Sequence, residues 1–154
     1  MTLNHIKLYT QITYGGITML QSNFWLDEFQ MREGTVILHP TIPVSLEMTR
    51  YELNVKEGEE VYIVVTGSTR SKKTNDELGR RHGWVGFGGT VSKDSKHLVE
   101  NGACAVDFYA VYKASKKRVD QKIVAKVARK YFDYVNDKYS DGHVHADNRN
   151  KIRP

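Results

Sequence analysis

The stretch Asp141-Gly-His-Val-His-Ala-Asp147, near the end of the chain, decides how the rest is read. In an extended backbone side chains alternate, so His143, His145 and Asp147 fall on one face while Val144 and Ala146 point into a core. Two imidazoles and a carboxylate on one strand face make either a metal site or an unusual solvated edge. Further ligands for a metal, and groups to act beside it, have to come from upstream.

Composition narrows the choices. A chain of 154 residues suits one domain able to bury a real core. A net charge of +5 and a pI near 9.2 favour anionic surroundings: nucleic acid, an anionic membrane or a bacterial cell wall. Cys104 is the only cysteine, which excludes an intrachain disulfide and a Cys-rich zinc knuckle, so His and carboxylates must hold any metal. No apolar run approaches a membrane span, and residues 1–21 lack a signal-peptide pattern. The expected location is a cytosol-like compartment.

Outward from the quoted stretch, two segments read as strands. Val61-Tyr-Ile-Val-Val65 is a continuous β-branched run. Ala103 to Tyr112 alternates, with Ala103, Ala105, Asp107 and Tyr109 on one face and Cys104, Val106, Phe108 and Ala110 on the other. Asp107 is thus a carboxylate in a strand otherwise small and apolar, and it needs a partner: a metal, Arg70 or backbone donors. A helix is expected from Ser45 to Lys56, ending before Gly58. A longer one is expected over 116–136, capped by Ser115, with Val119, Ile123, Val124, Val127, Ala128, Tyr131 and Val135 as its apolar stripe. Residues 71–96, rich in glycine, read as a long loop with at most a helical turn at Thr74 to Leu78. Residues 1–22 read as a hairpin, an arm onto a neighbouring subunit or a partly ordered extension, 23–147 as the main domain, and 148–154 as a basic tail.

A zinc enzyme usually offers three protein ligands and keeps a fourth position for water. His97, Asp107 and His145 can supply them, with Asp141, His143 and Asp147 as local candidates for a base or a ligand orienter. Arg70, beyond the end of a buried strand, suits a developing oxyanion. Each residue also has a plainer reading: a lone His is more often a surface or core residue than a ligand, and Arg70 could be an ordinary surface arginine. The Lys/Arg-rich face of the 116–136 segment could meet nucleic acid. Such a face is more often solvated surface and no base-stacking module accompanies it, so no nucleic-acid partner is expected.

The order of motifs resembles the zinc D-Ala-D-Ala carboxypeptidases and related peptidoglycan peptidases of the hedgehog/DD-peptidase superfamily, a group that includes phage L-alanyl-D-glutamate endolysins. Asn23-Phe-Trp-Leu-Asp-Glu-Phe29 resembles the family's Phe-x-x-x-Glu-Phe motif. Val65-Thr-Gly-Ser-Thr-Arg-Ser71, followed by Thr74-Asn75, resembles its Ser-Gly-Tyr-Arg-Ser segment and the Asn after it. Ser95-Lys-His97 with Ala105-Val-Asp107 resembles Ser-x-His…Ala-x-Asp, and Val144-His-Ala-Asp147 resembles the closing Val-His-Val-Asp.

The resemblance implies an α+β fold, a small antiparallel sheet with helices packed against it and zinc in an open cleft. It makes His97, Asp107 and His145 the Zn2+ ligands and gives Arg70 the substrate-carbonyl or oxyanion role. The chain departs from the family twice. Nine residues separate His97 from Asp107, a longer interval than the family's, and Gly142 stands where many relatives carry a catalytic acid. His143 is then the expected catalytic histidine, Asp141 the second choice, and Asp147 a ligand-orienting residue.

The expected function is hydrolysis of peptidoglycan stem peptides, as a D-Ala-D-Ala carboxypeptidase or an L-Ala-D-Glu endopeptidase of the cell-wall-lysing, phage type. The protein would stay cytoplasmic in the host until lysis, or travel in a virion. The alternative is an inactive structural or virion-associated domain of the same fold, with residues 1–22 contacting a virion or a second copy.

Overall fold

The computed structural model describes residues 6–82 and 94–151. Among these the chain is α+β, with two antiparallel sheets and three α-helices. The first sheet is a hairpin of β1 (Lys7–Tyr14) and β2 (Ile17–Trp25). Gly15 and Gly16 turn it, both at positive φ (57° and 79°), which the tight hairpin turn matching strand twist requires. Of the three readings of the N-terminal segment, a hairpin forms, and β2 runs unbroken past residue 22 into the main domain. Phe24 is buried, and the carboxylate of buried Glu47 accepts both the backbone N–H and the side-chain amide of Asn23, each at 2.8 Å. A 3-10 turn at Leu26–Phe29 follows, where Glu28 accepts the N–H of Trp25 at 2.7 Å.

Helix α1 (Thr41–Glu57) starts four residues earlier than Ser45. Pro40 and Pro43 belong to its entry, where a missing N–H costs nothing because those N–H groups have no partner within the helix. It ends as expected at Gly58, in the left-handed region (φ 67°), whose N–H reaches the carbonyl of Asn54 at 3.1 Å. Ile42, Leu46, Thr49 and Leu53 form its buried ridge.

The second sheet is built from β3 (Val61–Gly67), β4 (Ala105–Tyr112), β5 (Tyr134–Asn136) and β6 (Val144–Asp147), in the order β3-β4-β6-β5, all neighbours antiparallel. The alternation in β4 appears as read. Val106, Phe108 and Ala110 are fully buried against the helices, with Val144 and Ala146 of β6 beside them, while Asp107 and Tyr109 face the other way. One face of the sheet is therefore core and the other is free to hold polar groups.

Two segments differ from expectation. The helix read over 116–136 forms only as α3 (Gln121–Ala128). Residues 113–119 instead fold back along β4: Lys116 takes positive φ (60°), and the N–H of Val119 donates to the carbonyl of Ala110 at 2.9 Å. The cap is Asp120, whose carboxylate accepts the N–H groups of Lys122 (2.8 Å) and Ile123 (3.4 Å), rather than Ser115. Beyond the helix, Tyr134 to Asn136 pair with β6 as an edge strand. Val119, Val124, Val127, Ala128 and Phe132 are all buried, as an amphipathic stripe would be, but on a turn, a helix and a loop in succession.

The loop read over 71–96 contains helix α2 (Lys72–His82), which takes in Gly79. Ser71 starts it, its hydroxyl accepting the N–H of Thr74 at 3.2 Å, and Lys72 pairs with Asp76 one turn on at 2.7 Å. The remainder of that loop, residues 83–93, lies outside the described residues. Asn148, assigned by sequence to the tail, is buried, and its N–H bonds the carbonyl of Cys104 at 2.9 Å. No helix among the described residues is long and apolar enough to cross a membrane.

Candidate metal centre

Strand register assembles the site. Asp107 of β4 lies directly opposite His145 of β6, and His145 lies opposite Asn136 of β5. Directly opposed residues share a face, so these side chains meet on the sheet's open side. His97 arrives from the loop before β4, which is tied back to the end of β3. The N–H of Arg70 donates to the carbonyl of His97 (2.8 Å) and the N–H of Val99 donates to the carbonyl of Arg70 (3.3 Å). The long interval between His97 and Asp107 is absorbed by a 3-10 turn at Val99–Asn101, closed by Gly102 at φ 101°. It leaves His97 in reach of Asp107.

His97, Asp107 and His145 form a candidate metal-binding triad. His97 Nε2 is 3.2 Å from Asp107 Oδ1 and 3.2 Å from His145 Nδ1, and the last two atoms are 2.9 Å apart. A tetrahedral ion with bonds of 2.0–2.1 Å has ligand atoms about 3.3 Å apart, so the triangle fits zinc. The outer nitrogens fix which lone pairs point inward. His97 Nδ1 is 2.7 Å from the carbonyl of Ser68, a pure acceptor, so Nδ1 carries the proton and Nε2 is bare. His145 Nε2 is 3.1 Å from the carboxylate of Asp147, which leaves Nδ1 for the centre. Three acceptors thus converge where only a cation or a shared proton can satisfy them.

The electrostatics agree. Burial lowers the pKa of His97, keeping the ring neutral. Burial alone would also lower His145, but hydrogen bonds to Asp107 and Asp147 push it up to about 9, so without metal a proton occupies the centre. Burial opposes ionisation of Asp107, yet His145 and His97 hold its carboxyl well below the ordinary carboxylate range. Asp147 is completely buried. Against that burial, Arg149 and His145 bring its pKa down to about 2. Arg149 grips both Asp147 oxygens, each at 2.7 Å, and its guanidinium covers the ring of Tyr134 at 4.0 Å.

The triad opens on a cleft of about 570 Å3, lined also by Arg70, His143, Tyr134 and Tyr139. Arg70 is half-buried on its wall. Burial lowers its pKa, and the nearby Asp107 charge offsets part of that. His143 lines the cleft with Nδ1 bonded to Asp141 Oδ1 at 2.5 Å, leaving Nε2 as its free nitrogen. Asp141 is mostly exposed and stands behind the imidazole rather than in the cleft, so the two form an ordered carboxylate–imidazole pair. Gly142 has φ 81°, and a Cβ there would come 3.1 Å from Arg118 Nη1. An acid at that position would be strained.

Every residue expected at the site is thus within or directly behind one cleft. Sequence reasoning did not find Arg149, Tyr134 or Tyr139. The spacing Asp147-x-Arg149 is the one signal that could have found the first. No family model matches this chain, and no curated protein or solved structure was found to be similar to it.

Proposed function

We propose that this chain is a zinc-dependent peptidase of the hedgehog/DD-peptidase type that hydrolyses peptidoglycan stem peptides. The observation that carries this reading is the convergence of three potential ligand atoms, His97 Nε2, Asp107 Oδ1 and His145 Nδ1, in an open cleft walled by Arg70 and His143. The order of the motifs in the sequence supports the same class.

Zinc held by the three ligands would polarise the scissile carbonyl and acidify a bound water. Arg70 presents a cation to the carbonyl oxygen as it gains negative charge. His143 accepts the proton of the attacking water through Nε2 and returns it to the leaving amine, with Asp141 holding the ring in that tautomer. Asp147, clamped by Arg149, orients His145. The net charge of +5 draws the protein to an anionic wall, which it would reach from a lysing host or from a virion.

The test is metal analysis joined to muropeptide digestion. The purified protein should carry about one zinc and trim muropeptides, and His145→Ala should lose both. Full activity after chelation would sink the proposal. A second reading, an inactive structural or virion-associated domain, draws on Gly142 at the place of the relatives' acid. Zinc bound with no hydrolysis would favour it.

A further inference from the structure

Tyr139 lies on the loop between β5 and β6 and lines the cleft. Its ring stacks on that of His143, centroids 4.0 Å apart and planes 25° from parallel. The carbonyl of Tyr139 accepts from the N–H of Gly142 and from Gln121 Nε2, each at 3.2 Å, while Gln121 Nε2 also reaches the carbonyl of His143 at 2.6 Å. One side chain of α3 therefore fixes both residues of the stack.

Tyr139, Arg70 and Asp107 line the same cleft. Burial, and then Asp107, push the phenol above its ordinary value, so it keeps its proton at neutral pH.

We infer that Tyr139 is a further catalytic residue of the proposed peptidase, its hydroxyl donating a hydrogen bond beside Arg70 to the carbonyl oxygen that gains charge on attack. The inference rests on the peptidase reading. In the step, the water oxygen bonds to the carbonyl carbon and its proton goes to His143. The C–N bond then breaks and the proton passes to the departing amine. Tyr139 keeps its proton throughout, and its ring holds the His143 imidazole in place.

Tyr139→Phe retains the ring and removes the donor, and Tyr139→Leu removes both. Zinc content, muropeptide hydrolysis, binding of a phosphinate dipeptide and the histidine C–H resonances are measured for wild type and both variants. Tyr139→Phe should keep its zinc and its KM while kcat falls about 100-fold, and it should bind the phosphinate correspondingly more weakly. The ring-current shift of His143 should persist in Tyr139→Phe and vanish in Tyr139→Leu. A Tyr139→Phe variant with kcat within about threefold of wild type, or with its loss confined to KM, overturns the role of the hydroxyl and leaves the peptidase reading standing. Zinc-loaded wild type that cleaves no muropeptide overturns both.

Discussion

Gly67 closes β3 opposite Asp107, across an irregularity in the β3–β4 register. A Cβ on Gly67 would lie 2.9 Å from Asp107 Oδ2, 3.4 Å from its Cβ and 3.5 Å from its Cγ. Ordinary contact begins at 3.4 Å, so Gly67→Ala forces the carboxylate away by about half an ångström. Rotating the carboxylate relieves the clash only by moving Oδ1, which stands 2.9 Å from His145 Nδ1 and 3.2 Å from His97 Nε2. Metal sites hold their ligand distances to about 0.2 Å, less than half the displacement required. Gly67→Ala should therefore weaken zinc binding about 10- to 100-fold, the cost usual for disturbing a group that sets ligand geometry. Competition against a calibrated chelator at fixed pH measures the affinity, and thermal melting with excess chelator checks that the metal-free fold survives. An intact fold binding zinc within about twofold of wild type would refute the reasoning, because Asp107 would then have room that the close approach denies it.

Three other outcomes follow from the structure. In the metal-free chain the His145 imidazole, raised to about 9 from 6.5, adds stability that is fully present below pH 6.5 and is lost as pH climbs to about 9. Zinc must displace that proton, so affinity should rise about tenfold per pH unit across the same window, seen by chelator competition, and a flat profile would contradict the proton-occupied centre. Asp120→Ala should cost about 1 kcal/mol in urea denaturation by removing the cap of α3. Ser115→Ala should stay within about 0.5 kcal/mol, and the reverse order would restore a helix beginning at 116.

The polar face of the sheet was legible because strand alternation is strict. Once Val144 and Ala146 are given to the core, His145 has one direction left, and the same holds for Asp107 between Val106 and Phe108. What lay hidden depends on contacts remote in sequence. The stripe from Val119 to Val135 has helical spacing, yet Val119 is buried by pairing with β4 and Val135 belongs to an edge strand. A 3.6-residue period does not reveal which of several neighbours buries each side chain. Asp120 outcompetes Ser115 as cap because the backbone turn at Lys116 separates Ser115 from the helix. In α1, Glu47 and Glu52 are buried carboxylates; Lys56 one turn on reaches Glu52 at 3.1 Å, but their other partners Asn23, Lys130 and Tyr131 come from the hairpin and from beyond α3. Arg149 escaped notice for a related reason: its role exists only once β6 has brought Asp147 beneath it.

The register that sets Asp107 against His145 would also make a bound metal a reporter of folding. A slip of β6 by one residue would face Val144 or Ala146 toward the ligand side and send His145 into the core. Only one pairing of the two strands presents both ligands to His97. If the cleft takes zinc as proposed, capture of the ion would proofread the strand pairing, and a mispaired chain would be unable to bind it.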